Sequence, residues 1–255
     1  MKVSVILPTY NEAGNIVKLV ESIKAHIRAP WTPEILVVDD NSSDGTFELA
    51  RTAFADDPEV KTILRTSNRG LGASIRTGIE AATGEYLLVM DTDFTHRPEE
   101  IPSMLHVAQI VDLVNGSRFC PGGSMADTAH YLASFVYNLM IRLVIRTQIQ
   151  DNLGGFWVAR AALIRRLPFD EIFYGYGDYY FRLLHFAQGA AMRIVELPAK
   201  YCERESGASK SNFCRMLFQY SAMVLKLVIR NWRKKVPAAA PVEDAAPVLV
   251  QRPSR

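Results

Sequence analysis

Asp91 and Asp93 stand one residue apart, directly after the apolar run Tyr86-Leu87-Leu88-Val89-Met90. Five apolar residues between polar neighbours read as a buried strand. In extended backbone, residues i and i+2 point to one side. The two carboxylates are therefore expected to aim at one point just beyond a sheet. Paired hard oxygens suit Mg2+ or Mn2+ holding a diphosphate. In open α/β sheets, ligands sit outside the carboxyl ends of strands. Asp-x-Asp is also ordinary turn chemistry, so the rest of the chain has to decide.

Other chemistry-bearing residues sit at the same kind of place. An apolar strand over 3–7 ends at Pro8, and Tyr10 and Glu12 follow in the turn. A second buried strand over 34–40 ends in Asp39 and Asp40. Asn41-Ser42-Ser43-Asp44-Gly45-Thr46 is turn chemistry opening a helix to about residue 55. Asn15 is a candidate cap for a helix over 16–27. A third strand is expected over 60–65, and Asn68-Arg69-Gly70-Leu71-Gly72 opens a helix over 73–82. Strands separated by helices require crossovers and give a mostly parallel sheet.

Composition bounds the alternatives. The chain has 255 residues, 49% of them hydrophobic and 22% charged, as in a globular protein. A net charge of +2 leaves no nucleic-acid footprint. No run of 18 apolar residues is present, so no membrane span is expected. The N-terminus reads as the first strand rather than a signal peptide. Cys120, Cys202 and Cys214 have no metal-type spacing and read as free thiols of a reducing compartment.

Taken in order, four motifs carry a resemblance. They are Val5-Ile6-Leu7-Pro8-Thr9-Tyr10-Asn11-Glu12, Val37-Val38-Asp39-Asp40-Asn41-Ser42-Ser43-Asp44-Gly45-Thr46, Asn68-Arg69-Gly70-Leu71-Gly72 and Asp91-Thr92-Asp93. Together they resemble the inverting GT-A (family 2) glycosyltransferases, and within them the dolichol-phosphate (polyprenyl-phosphate) mannose synthase group. The similarity spans about residues 1–215. It implies an α/β GT-A nucleotide-binding fold, with a mostly parallel central sheet flanked by helices. It places the donor nucleotide against Pro8, Tyr10, Glu12, Asp40 and Thr92, with Asp39 supporting the turn. It makes Asp91 and Asp93 the ligands of Mg2+ or Mn2+, with Asp93 also catalytic. Thr95 stands where some relatives have an amide ligand, and His96 and Pro98 follow the family pattern.

The same resemblance extends into the acceptor half. Asn115-Gly116-Ser117-Arg118-Phe119 with Gly122-Gly123 matches the group's Gly-Ser-Arg and Gly-Gly signature, which makes Arg118 a phosphate-binding cation. Asp151-Asn152-Leu153-Gly154-Gly155-Phe156 parallels a loop facing the sugar. A mostly apolar helix over 129–146, with Arg142 and Arg146 on one edge, reads as packed. Arg204-Glu205-Ser206-Gly207-Ala208-Ser209-Lys210 resembles a loop in which Arg204 and Lys210 close on phosphate. Two features depart from the group: Leu132 and Ala133 stand where a basic residue is usual, and residues 173–180 are unusually aromatic and acidic. Within that stretch Asp178 is either a general base, needed for a hydroxyl acceptor, or a structural turn acid.

The implied organisation is a transferase domain over 1–212, an amphipathic helix over 213–235 suited to a membrane surface, and a Pro- and Ala-rich disordered tail over 236–255. The implied activity moves mannose from GDP-mannose onto a polyprenyl phosphate at the cytosolic face of a membrane. A nucleotide sugar, a lipid acceptor and a membrane-protein partner follow as expected partners, and nucleic acid does not. Another nucleotide sugar such as UDP-glucose, a glycan hydroxyl acceptor, or a catalytically silent nucleotide-sugar-binding partner are the alternatives. Nucleotidyl transfer is disfavoured, because Pro8-Thr9-Tyr10-Asn11-Glu12 is not a basic glycine-rich loop.

Overall fold

The sheet is built from strands whose successive side chains feed two cores. In the computed structural model, which describes residues 1–202, Val3, Val5 and Leu7 of β1 (Lys2–Thr9) enter one core, and Ile6 enters the other. β2 (Thr32–Asp39) divides Ile35 and Val37 from Leu36 and Val38 in the same way. Strands buried on both faces read as continuous apolar runs, and that is why their sequences lack polar alternation.

α1 (Ile16–His26) buries Ile16, Leu19, Val20 and Ile23, one face of a helix at three- and four-residue steps. Asn15 occupies its N-cap, but the side chain donates to the Glu12 carboxylate at 2.8 Å instead of capping. α2 (Thr46–Ala53), β3 (Val60–Leu64), α3 (Leu71–Ala81) and β4 (Tyr86–Val89) complete the N-terminal alternation. A short 3-10 turn (Pro98–Glu100) leads into α4 (Ile101–Ala108) and β5 (Leu113–Ser117). β6 (Ser124–Met125) precedes α5 (Thr128–Ile145). The rest is β7 (Trp157–Arg160), α6 (Ala161–Ile164), α7 (Phe169–Ile172), α8 (Asp178–Gly189), β8 (Ile194–Pro198) and β9 (Lys200–Tyr201).

Seven strands form one sheet in the order β3-β2-β1-β4-β7-β5-β8, and β6 pairs with β9 apart from it. All pairings in the large sheet are parallel except those of β7 with β4 and β5. The chain steps outward from β1 to β2 and β3, then returns to place β4 on the other side of β1. That reversal opens a crevice at the carboxyl ends of β1 and β4, the usual ligand position in such sheets. The expected α/β architecture is therefore present. α1 and α4 cover one face, and α3 and α8 the other.

No described helix is long and apolar enough to cross a membrane. Among the described residues Cys120 and Cys202 are free thiols, and Cys214 lies outside them. The helix and tail expected over 213–235 and 236–255 also lie outside them.

Candidate active site

Three neighbouring strands deliver the candidate residues to one edge of the sheet. β1 leads to Tyr10 and Glu12, β2 to Asp40, and β4 to Asp91 and Asp93. Short bonds tie the ends together. The Asp40 amide donates to the Thr9 carbonyl at 3.0 Å, and the Thr92 hydroxyl donates to the Pro8 carbonyl at 3.4 Å. Asn11 and Asn41 adopt positive φ, which asparagine tolerates in turns. The Asn11 amide donates to the Ser42 hydroxyl, and the Ser43 amide donates to the Asn11 side chain. Asp39 is fully buried and accepts from the amide and hydroxyl of Ser42 and from Thr9. It supports the turn rather than facing a ligand.

Asp40 is a hub that the sequence did not disclose. One oxygen pairs with the buried Arg65, 25 residues on, and the other accepts from the Gly70 amide at 2.6 Å. Arg65 also donates to the Asn68 carbonyl at 2.6 Å. The Gly70 loop is thus fastened to the strand end, and the Arg69 guanidinium lies 4.8 Å over the half-exposed Tyr10 ring. Glu12 is anchored from the other direction: its N–H donates to the Thr46 hydroxyl at 2.8 Å.

The Asp91 and Asp93 side chains differ more than an extended backbone would give. β4 stops at Val89, and residues 92–96 bend, with Phe94 at φ +60°. Asp93 is buried, and one of its oxygens accepts from the Thr95 amide at 3.1 Å and hydroxyl at 2.6 Å. The Asp91 side chain is 46% exposed. Its amide donates to Nδ1 of the fully buried His96 at 2.9 Å, which leaves the ring proton on Nε2. His96 stacks on Phe156 and meets Tyr201 edge-on. Burial, only partly offset by the charge of Asp93, pushes its pKa down to about 4, so the ring is neutral at physiological pH. His96 is a buried prop beneath Asp91.

Among the described residues no three His, Cys, Asp or Glu side chains gather as a metal cage. Thr95 spends its hydroxyl on Asp93. Two carboxylates at an open edge nevertheless fit Mg2+ or Mn2+, which keep other positions for water and diphosphate.

The acceptor-side candidates are held differently from expectation. Arg118 is buried, and its fork grips both oxygens of Asp151 at 2.8 Å. Burial opposes both charges, but their attraction outweighs it: Asp151 is held below the usual carboxylate range and Arg118 is raised. The Asp151 carboxylate also accepts from the Arg118 and Leu153 amides. Arg118 thus shapes the 151–155 loop through its fork. Glu196 reinforces that loop by accepting from the Gln150 and Asp151 amides at 2.7 and 3.0 Å.

Asp178 is buried at the start of α8, paired with Arg182 one turn on, and it accepts from the Tyr176 amide at 2.9 Å. Arg182 also donates to the Ile172 and Tyr174 carbonyls. Its carboxylate is thus engaged on both sides. Arg204 and Lys210 lie outside the described residues. The strand that leads to them ends beside the Asp93 turn, where the Cys202 amide donates to the Thr95 carbonyl at 3.1 Å.

Residues 4–173 match the model of "Glycosyl transferase family 2". The chain belongs to that family. Among curated proteins, it is 36% identical over 220 residues to the undecaprenyl-phosphate mannosyltransferase of Micrococcus luteus, covering 82% of this chain and 87% of that one. It is 33% identical over 225 residues to the polyprenol monophosphomannose synthase of Mycolicibacterium smegmatis, covering 84% of each. Against the dolichol-phosphate mannosyltransferase of Pyrococcus furiosus it is 32% identical over 92% of its own length, but spans 66% of that protein. A solved glucosyl-3-phosphoglycerate synthase from Mycobacterium tuberculosis, in complex with Mn2+, UDP and phosphoglyceric acid, shares the fold. Its TM-score is 0.66 at 17% identity, over 90% of this chain and 78% of that one. For this family 2 member, the GT-A type of fold expected from the motifs is therefore present.

Proposed function

We propose that this family 2 glycosyltransferase moves a hexose, mannose from GDP-mannose, onto the phosphate of a polyprenyl lipid. The observation that carries this reading is the convergence of Asp40, Tyr10, Glu12, Asp91 and Asp93 from three adjacent strands onto one crevice. The named activities of the relatives at 32–36% identity support the sugar and the acceptor.

In this reading, Pro8, Tyr10, Glu12, Asp40 and Thr92 receive the nucleotide. Carboxylates there accept hydrogen bonds from ribose hydroxyls or a base N–H. Asp91 and Asp93 hold Mg2+ or Mn2+, which when bound supplies charge that offsets the build-up on a leaving diphosphate. The acceptor phosphate oxygen attacks C1 of the sugar. The bond from C1 to the diphosphate oxygen breaks, the diphosphate keeps the electron pair, and C1 inverts. An ionised phosphate needs no general base, which agrees with an Asp178 engaged by Arg182. Arg204 and Lys210 add charge-assisted contacts to phosphate. The acceptor resides in a bilayer, so the protein works as a peripheral protein at a membrane surface.

A donor screen tests this. Purified protein is incubated with each radiolabelled nucleotide sugar and extracted polyprenyl phosphates. Label from GDP-mannose should enter the lipid phase. Labelling from UDP-glucose instead would overturn the choice of sugar, and no lipid labelling from any donor would overturn transfer to lipid.

A further inference from the structure

The aromatic, acidic stretch over 173–180 has no part in the reaction described above. Its acid belongs to the frame, where Asp178 pairs with Arg182. Two of its tyrosines do not. Tyr174 is 41% exposed and Tyr176 42%, although the neighbouring Phe173, Tyr179 and Tyr180 are buried. The loop that carries them is held through its backbone. The Tyr174 carbonyl accepts from Arg182, whose guanidinium lies 3.8 Å from the centre of the Tyr174 ring. The Tyr176 amide donates to Asp178 at 2.9 Å, and the Tyr176 carbonyl accepts from the Tyr179 amide at 3.2 Å. Gly175 between them takes φ +73°, a value that glycine adopts without strain.

Two contacts place this loop along the crevice. At one end the Gly72 amide donates to the Gly175 carbonyl, and Gly70 in the same turn is held by Asp40. At the other end a Cβ on Gly155, in the 151–155 loop, would stand 3.6 Å from the Tyr179 hydroxyl. Burial first and the Asp91 charge second raise the pKa of that hydroxyl, so Tyr179 also lies within the field of the Asp91 carboxylate. Tyr174 and Tyr176 therefore stand between the nucleotide end of the crevice and the end that holds Asp91. The nucleotide end already has a flat surface in the Tyr10 ring under Arg69.

We propose that Tyr176, with Tyr174 beside it in the loop, forms an aromatic wall on which the hexose of the donor packs. This rests on the transferase reading above. A pyranose carries C–H groups on its faces and hydroxyls at its rim. Tyrosine matches both, with an apolar ring and a polar tip. A wall already fixed by Arg182, Asp178 and Gly72 adds little ordering cost when the sugar arrives.

The test separates sugar from nucleotide by calorimetric titration of full-length protein in Mn2+, with GDP and with GDP-mannose. Tyr176→Ala removes the ring, Tyr176→Leu keeps an apolar side chain without a ring face, and Tyr176→Phe keeps the ring without its hydroxyl. Ala and Leu should weaken GDP-mannose binding by about fivefold or more. GDP affinity and melting temperature should stay at wild-type values, which a merely structural role for Tyr176 would not allow. Phe should recover most of the lost GDP-mannose affinity. Equal loss for GDP and GDP-mannose would overturn the proposal, because the ring would then serve the nucleotide or the fold. Unchanged GDP-mannose affinity in both Ala and Leu would overturn it as well. If wild type binds UDP-glucose in preference to GDP-mannose, the donor chosen above fails. The wall then stands if Ala and Leu weaken UDP-glucose but not UDP, and falls if they weaken both or neither.

Discussion

At the scale of single residues, the site separates half-exposed groups at the crevice from buried groups that hold the frame. Asp91 belongs to the first kind: its side chain is half-exposed, its amide donates to Nδ1 of His96, and its carboxylate lies 3.8 Å from Nε2 of the same ring. Asp91→Asn should therefore lower kcat/KM by roughly a hundredfold or more, as loss of an ionic metal ligand does. Stability should change by less than about 0.5 kcal/mol, as is usual for exposed substitutions. Enzyme kinetics with thermal melting checks both, and near-wild-type turnover would remove Asp91 from the metal. Asp151 belongs to the second kind. Asp151→Asn leaves the Arg118 cation buried without its counter-charge, at a cost of about 3–5 kcal/mol. Denaturant unfolding should show that loss. A loss under 1 kcal/mol would mean that Arg118 has another partner to turn to.

At the scale of elements, the least tolerant joint is where α3 meets the aromatic loop before α8. The Gly72 amide donates to the Gly175 carbonyl at 3.1 Å, and a Cβ on Gly72 would stand 2.7 Å from Tyr174 backbone atoms. Backbone cannot swing aside as a side chain can, so Gly72→Ala should cost about 1–3 kcal/mol. It should also weaken nucleotide binding, because the Gly70 amide held by Asp40 lies only two residues before Gly72. Calorimetric titration with GDP reads the second effect, and unchanged affinity would contradict the linkage. The strands and helices that build this joint were legible, because buried strands and amphipathic helices print their periods in sequence. β1, β2 and α1 fall within a residue or two of where those patterns put them. The partners across the joint were not legible. Nothing near Arg65 announces Asp40, and nothing near Arg118 announces Asp151, since the partners lie 25 and 33 residues apart in sequence. The same applies to α5: Tyr137 and Ile141 are buried while Leu132, Val136 and Leu143 are exposed, and the apolar pattern is the same whether a face is covered or bare.

At the scale of the whole molecule, Glu34 joins the other edge of the sheet. It accepts from Ser4 on β1, Lys61 on β3 and the Thr83 amide before β4. Burial raises its pKa, but the hydrogen bonds from Lys61, Ser4 and Thr83 outweigh this, so it titrates well below an ordinary glutamate. A carboxyl with a depressed folded pKa adds stability above its unfolded pKa and loses it as pH falls. Wild type should therefore weaken from about pH 5 downward. Glu34→Gln cannot ionise, so it should be less stable at pH 7 by about 1–3 kcal/mol and should show a shallower fall in acid. Unfolding midpoints across pH check this, and an unchanged acid slope would contradict it. The central claim concerns the opposite edge, where three strand ends are assigned to sugar transfer onto phosphate. Phosphorus NMR of wild-type protein with GDP-mannose, Mn2+ and a short polyprenyl phosphate tests that claim most directly. The account predicts a phosphodiester resonance growing in step with released GDP, absent with chelator and absent in Asp91→Asn. Consumption of GDP-mannose with the polyprenyl phosphate left as a monoester would contradict it.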